Sequence, residues 1–313
     1  MILEHLANQK LLKTAPPWIV HNTHYLTISG SIAYGCANSG KDEASDFDTI
    51  GICIPPKELT FPHLAGYIHG FGEAPKLAPY TGKDDKGTGG VYEEHHVFDP
   101  TALGGKGRNY DLNIYNIVKF MHECYKGNPN LIDSLFTSRE CVLHCTQVGN
   151  ILRDNRKMFF AKQLWSTYKG YAYAQLHKME GKNPTGKRIE YREKYGFDIK
   201  FAYNIVRLID ESEQIFTTGD LDLMRNREQL KAIRRGEWTV AEIRDYINRK
   251  EKVLEEVYLK SDLPMKPDEK KVKDVLVQCL EHHYQTLDGC VVNPDRAETL
   301  VRDIQKLIMK AGY

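Results

Sequence analysis

Between Tyr25 and Pro56 the chain spells out a strand, a small-residue turn, a polar loop and a second strand, and this unit restricts the fold more than any other part of the sequence. Tyr25-Leu26-Thr27-Ile28 is a short β-prone run ending in Ser29-Gly30-Ser31. Phe47 to Ile54 is rich in β-branched residues and stops at Pro55-Pro56. Side chains alternate faces along a strand, so Asp46 and Asp48 project together while Phe47 turns towards a core. Two carboxylates on one face repel each other unless a cation joins them. Mg²⁺ takes oxygen ligands, commonly one or two carboxylates together with substrate phosphates.

The turn supplies the matching anion site. Small residues at Ser29-Gly30-Ser31 let backbone N–H groups approach a phosphate, a helix starting there adds its positive end, and Ser31 adds a hydroxyl. A phosphate cradle followed by a carboxylate pair is the equipment of nucleotidyl transfer.

Gly30-Ser31, a spacer and Ser45-Asp46-Phe47-Asp48 resemble the signature of the DNA polymerase beta nucleotidyltransferase superfamily. The closer likeness is to the phage and bacterial predicted nucleotidyltransferases associated with RNA ligases. It extends through Tyr115 to Phe120, Lys126 to Asn130, Tyr195 to Lys200, Ile205 to Leu208, Thr217-Thr218-Gly219 and Ile233 to Glu237. The resemblance implies two Mg²⁺ ions on Asp46 and Asp48, and Gly30 and Ser31 on the β- and γ-phosphates of a nucleoside triphosphate. It also implies a third carboxylate from a neighbouring strand that helps deprotonate the attacking hydroxyl. Asp111 is the candidate, with Glu93 and Glu94 as competitors.

Further along, Lys200, Asn204 and Arg207 follow i, i+4, i+7 and share a helix face, while Phe201, Ile205 and Leu208 form a core stripe. A basic face there would hold a triphosphate or a phosphodiester backbone. An internal ion-pair network is the alternative. Lys187, Arg188, Arg192 and Lys194 add charge just upstream, with Tyr191 and Tyr195 interleaved as nucleic-acid stacking requires; an exposed helix edge has the same composition. Lys119 reads as a snorkelling helix residue, Asn128 as a helix cap, and the pairs His95-His96 and His282-His283 as core or surface residues.

The pattern predicts an α+β fold: an N-terminal polymerase-beta-like half with a mixed sheet, residues 1–150, and a helical half, residues 151–313. Strands are expected at Val91 to Phe98 and Asn109 to Tyr115, and helices at Asn116 to Tyr125 and Asn130 to Phe136. Thr239-Val240-Ala241-Glu242 is a capping box opening a helix to about Leu259. Gly40 to Glu43 should be an exposed loop, and Gly82 to Gly90 a loop or hairpin tip. Hydrophobic residues make up 41% of the 313, enough for a real core. A formal charge of +1 decides nothing about nucleic acid. Seven scattered cysteines without a CxxC pair argue against a zinc site and for a reducing compartment. Cys141, His144 and Cys145 read as an element edge. No apolar stretch reaches the ~18 residues of a membrane span, and the N-terminus is not a secretory signal, so a cytoplasmic location is expected.

The expected function is metal-dependent transfer of a nucleoside monophosphate from an NTP to an acceptor hydroxyl, with release of pyrophosphate. An RNA end, such as a tRNA under repair, is the acceptor the likeness suggests; protein and small-molecule acceptors fit the motif equally. The alternatives are a non-catalytic nucleotide- or RNA-binding protein on the same fold and a toxin–antitoxin partner, for which the helical half is larger than expected.

Overall fold

The computed structural model describes residues 1–37, 46–61, 90–181 and 187–285, with isolated positions 301, 304, 305, 307 and 308. The polar loop at Gly40 to Glu43 and the glycine-rich stretch from Gly82 to Gly89 lie outside them. Five strands form one mixed sheet: β1 (Thr23–Ile28), β2 (Phe47–Cys53), β3 (Val91–Asp99), β4 (Arg108–Asn116) and β5 (Val142–Cys145), in the spatial order β3-β4-β2-β1-β5. The β2–β4 pair is parallel and the other three pairings are antiparallel. The Cys141–Cys145 cluster is an element edge, since β5 closes one side of the sheet.

Helix α1 (Ile2–Asn8) precedes the sheet. Helices α2 (Ile117–Tyr125), α3 (Pro129–Phe136) and α4 (Gln147–Asp154) pack beside it. The remainder of the described chain is helical: α5 (Gln163–Gly181), α6 (Lys187–Tyr195), α7 (Ile199–Thr218), α8 (Arg227–Arg234), α9 (Val240–Lys260) and α10 (Glu269–Tyr284). The expected α+β architecture is therefore what forms. Local chemistry sets the helix ends. Glu242 N–H donates to the Thr239 hydroxyl (3.2 Å) and Thr239 N–H donates to the Glu242 carboxylate (2.7 Å), the reciprocal capping box that opens α9. The Asp198 carboxylate accepts from Lys200 N–H at the start of α7 (2.9 Å), and Gly219 ends that helix with φ +62°.

Each sheet face has its own apolar cluster. Leu26, Tyr92, Leu112 and Ile114 point to one side, where α1 lays the fully buried Leu3 and Leu6 over them. Removing each of those leucines from water contributes roughly 2 kcal/mol. On the other side Tyr25, Ile50 and Ile52 join Phe120 and Leu131 of α2 and α3, then Ile205 and Leu208 of α7 and Ile247 of α9, in one continuous cluster. That second face matters for chemistry. By strand alternation Asp48 shares it with Ile50 and Ile52, and Asp111 and Asn113 lie on it in β4. It is covered by helices along most of its length and opens to solvent at the Asp48 end. No described helix is long and apolar enough to cross a membrane.

Candidate active site

The turn after β1 is pinned directly to the aspartate strand. Ser29 donates to the Asp48 carbonyl through its N–H (2.7 Å) and its hydroxyl (3.1 Å). Gly30 follows with φ +66°, and a Cβ there would lie 2.9 Å from Asp48 Oδ2. Glycine is required twice over, for its left-handed backbone and for the space the carboxylate occupies. The helix expected after the turn is a single turn, Gly30–Ala33, carrying Ser31.

Parallel pairing of β2 with β4 sets Asp48 directly opposite Asp111. Thr49 fixes this register by donating its hydroxyl to the Asp111 carbonyl (3.1 Å). The Asp48 carboxyl keeps an edge in water but is crowded by protein. That partial burial raises its pKa, the negative charge of Asp111 raises it further, Lys200 opposes the rise, Asp46 adds to it and His95 opposes it. Of the sequence-derived candidates, Asp46, Asp111 and Lys200 all lie near enough to act on the Asp48 carboxyl.

Asp111 has a partner that strand alternation hides. The β3–β4 register slips between Glu94 and Val97, and His96 adopts φ +56°. This bulge aims the His96 N–H at Asp111 Oδ1 (2.7 Å). It also brings His95 Nδ1 and His96 Nδ1 to 3.7 and 4.0 Å of the same oxygen. The His-His pair, expected to be an ordinary core or surface element, flanks the third carboxylate. A polar dipeptide interrupting an otherwise alternating strand was the available signal.

A cleft of about 370 Å³ opens beside Asp48. Gly30, Asn113 and Tyr115 line its sheet side, Asn128 and Asn130 its α3 side, and Tyr203, Asn204 and Arg207 its α7 side. Asn128 occupies the N-cap position of α3, but its side chain makes no cap hydrogen bond. Its Oδ1 is instead buried at the cleft wall with no hydrogen-bond partner. The cap expected from the sequence is therefore positional only.

Arg207 corrects the expectation of an open basic face. Only Lys200 of the three aligned residues is exposed; Arg207 is 5% exposed and faces inward. Its Nη1 donates to Tyr34 Oη (2.8 Å), to Glu211 (3.1 Å to Oε1) and to Asp133, and its Nη2 donates to Asn130 (3.3 Å). Tyr34 in turn donates to Asp133 Oδ2 (2.9 Å). Burial pushes the Glu211 carboxyl well up and raises that of Asp133 against the opposing pull of Arg207. The group ties the end of the Gly30 turn to α3 and α7 from beneath the cleft. Tyr191 and Tyr195 are half-buried and pack partly against the core. Lys119 faces a groove between α2 and α10, away from the cleft.

The donor chemistry at Asp46, Asp48 and Asp111 fits a hard divalent cation. All three offer oxygen, Gly30 clears the space beside Asp48 Oδ2, and the mutual repulsion of Asp48 and Asp111 is what such a charge relieves. Among the described residues no group of three His, Cys, Asp or Glu side chains is already gathered to hold a metal ion.

The chain matches the family model RlaP, described as the RNA repair pathway DNA polymerase beta family, over residues 3–299. It belongs to that family. No curated protein matches it. RlaP membership covers both halves of the chain, so the helices that wall the cleft belong to the family pattern as much as the aspartate strand does. Polymerase beta nucleotidyltransferases typically use divalent metals and nucleoside triphosphates.

Proposed function

We propose that the chain is a metal-dependent nucleotidyltransferase acting on RNA ends. Residues 1–150 form the catalytic domain and one wall of the nucleotide cleft, and α7 of the helical domain, residues 151–313, supplies the facing wall. An acceptor hydroxyl attacks the α-phosphorus of an NTP, a new P–O bond forms, the bond to the bridging α–β oxygen breaks, and pyrophosphate leaves. Gly30 and Ser31 receive the triphosphate, and Lys200 adds positive charge beside it. Asp111, held by the His96 N–H, faces the attacking hydroxyl and takes up its proton. Arg207 acts as a positioning residue, fixing Tyr34 and hence the Gly30 turn. Asn128 offers its orphaned oxygen to the nucleoside. Two Mg²⁺ ions, held by Asp46, Asp48 and Asp111, would neutralise the triphosphate and the developing charge on the attacking oxygen.

One observation carries this reading: β2 and β4 pair in parallel with Asp48 opposite Asp111, and Gly30 lies against the Asp48 carboxylate at the mouth of a nucleotide-sized cleft. The test is incubation with each labelled NTP, Mg²⁺ and a panel of RNA, DNA, protein and small-molecule acceptors. Transfer to RNA is expected, and D48N should lower it at least about 100-fold. Full activity in D48N would place the chemistry elsewhere. NTP binding without pyrophosphate release from any acceptor would favour the non-catalytic alternative.

A further inference from the structure

The face that carries Asp111 continues past it to the sheet edge, away from the cleft. β3 is the outer strand there. Its register, Glu93 opposite Asn113 and Phe98 opposite Asn109, puts Glu93 and Phe98 on the Asp111 side, with the His95-His96 bulge between them. This row is open. Phe98 is 51% exposed, and the side chains of His95 and His96 are 54% and 81% exposed. The cleft lining reaches Asn113 and Tyr115 but does not include these residues.

Phe98 is not loosely placed. Gly107, with φ +79°, lies against its ring so closely that any Cβ would overlap the ring edge. A left-handed glycine thus seats an aromatic ring on bare backbone while much of the ring remains in water. One exposed hydrophobe is ordinary in itself; what sets Phe98 apart is that a left-handed glycine holds its ring in place on the face that carries Asp111. The chemistry also demands a second substrate at the same carboxylates. The cleft accounts for one, on the β1 and α7 side of Asp48. The β3 row lies on the other side of Asp111.

We infer that Phe98, with His95 and His96, forms the platform on which the terminal nucleoside of a single-stranded RNA acceptor stacks, presenting its hydroxyl to Asp111. This inference rests on the nucleotidyltransferase reading above. Flat aromatic and imidazole rings match the π-face of a base irrespective of its identity. Charge then selects the kind of end. Glu93, Asp46, Asp48 and Asp111 make this face acidic, so a terminal phosphate is repelled and an uncharged sugar hydroxyl is accepted. The RNA-repair description of the family agrees with RNA as the acceptor.

The test is an equilibrium titration without NTP. A short 5′-labelled single-stranded RNA is prepared with an intact 3′-hydroxyl terminus, an abasic 3′-terminal nucleotide or a 3′-phosphate, and is titrated with wild type, F98A and F98W. In wild type, loss of the terminal base should weaken binding about 5- to 100-fold. F98A should bind the intact RNA more weakly by a similar factor and show no further loss with the abasic end, whereas F98W should behave as wild type. A 3′-phosphate should bind less tightly than the hydroxyl end. The inference is overturned if wild type binds no RNA, if F98A remains as sensitive to the abasic end as wild type, or if the phosphate end binds more tightly. Because this titration contains no NTP, it separates the two readings. A positive cycle alongside a fully active D48N leaves the platform standing and removes the catalytic centre. A flat cycle alongside an inactive D48N removes the platform alone.

Discussion

Asp48 stands where a lone carboxylate is destabilised. It is crowded by the Gly30 turn and faces the negative charge of Asp111, and both effects favour its neutral form. Replacing it with Asn removes the repulsion and keeps the shape. D48N is therefore expected to melt at a temperature equal to or above that of wild type even as transfer is lost, which a thermal-denaturation scan run beside the activity assay checks. Asn128 presents the complementary case. Its buried Oδ1 lacks a partner, and such an atom costs about 1–3 kcal/mol. N128L should be as stable as wild type or more so, while KM for the NTP rises several-fold. Unchanged KM in a folded N128L variant would remove Asn128 from the nucleotide site.

At the scale of elements, two junctions made by α7 respond differently to loss of charge. The Arg207 group joins the Gly30 turn, α3 and α7 through one buried cation and two carboxylates. R207M strands Asp133 and Glu211 without their cation and should cost about 3–5 kcal/mol in urea denaturation. E211Q keeps a hydrogen-bond acceptor facing Arg207 at a position where burial already favours the neutral acid, so its cost should stay below about 1 kcal/mol. A similar loss in E211Q would show that Glu211 is needed as a charge. Asp210 of α7 meets Tyr246 and Lys250 of α9, and burial outweighs these partners to push its pKa up to about 6. A raised folded-state value means that the folded chain holds the proton more tightly than the unfolded chain, whose value is about 4. The corresponding stability is present below pH 4 and is lost as the pH rises through 6, at on the order of 1 kcal/mol per pH unit. D210N should flatten that slope between pH 4 and 6 and leave stability below pH 4 little changed, as chemical denaturation across the pH range will show.

Over the whole molecule, the catalytic and helical halves share a core. The cluster beneath the active-site face runs from Ile50 and Ile52 of β2 to Ile205 of α7 and Ile247 of α9 without a break. The boundary proposed near residue 150 crosses this one continuous cluster, so the two parts should unfold together. Calorimetry should give one transition with equal calorimetric and van't Hoff enthalpies. Two resolved transitions would make the halves independent folding units. The shared core also explains how residues from α3 and α7 wall a cleft whose floor is β2 and β4.

What could be read from the sequence alone was local. The alternation that pairs Asp46 with Asp48, the glycine turn ahead of them, the capping box at Thr239 and the strand–helix switch at Asn116 all depend on neighbours within a few residues, where periods of 2 and 3.6 leave a direct signature. A strand-like run and a place four residues before Tyr115, in the stretch that carries the family likeness, favoured Asp111 over Glu93 and Glu94, but its neighbour across the sheet was not legible. Parallel pairing of β2 with β4 decided where it stands, and that pairing is a long-range contact with no local code. Arg207 shows the same limit. Its helical spacing with Lys200 was legible, but burial depended on Asp133 arriving from α3 and Tyr34 from the Gly30 turn. The bulge that turns His96 onto Asp111 is likewise a property of two strands in register and not of either one, because an extra residue is defined only by the partner it fails to match.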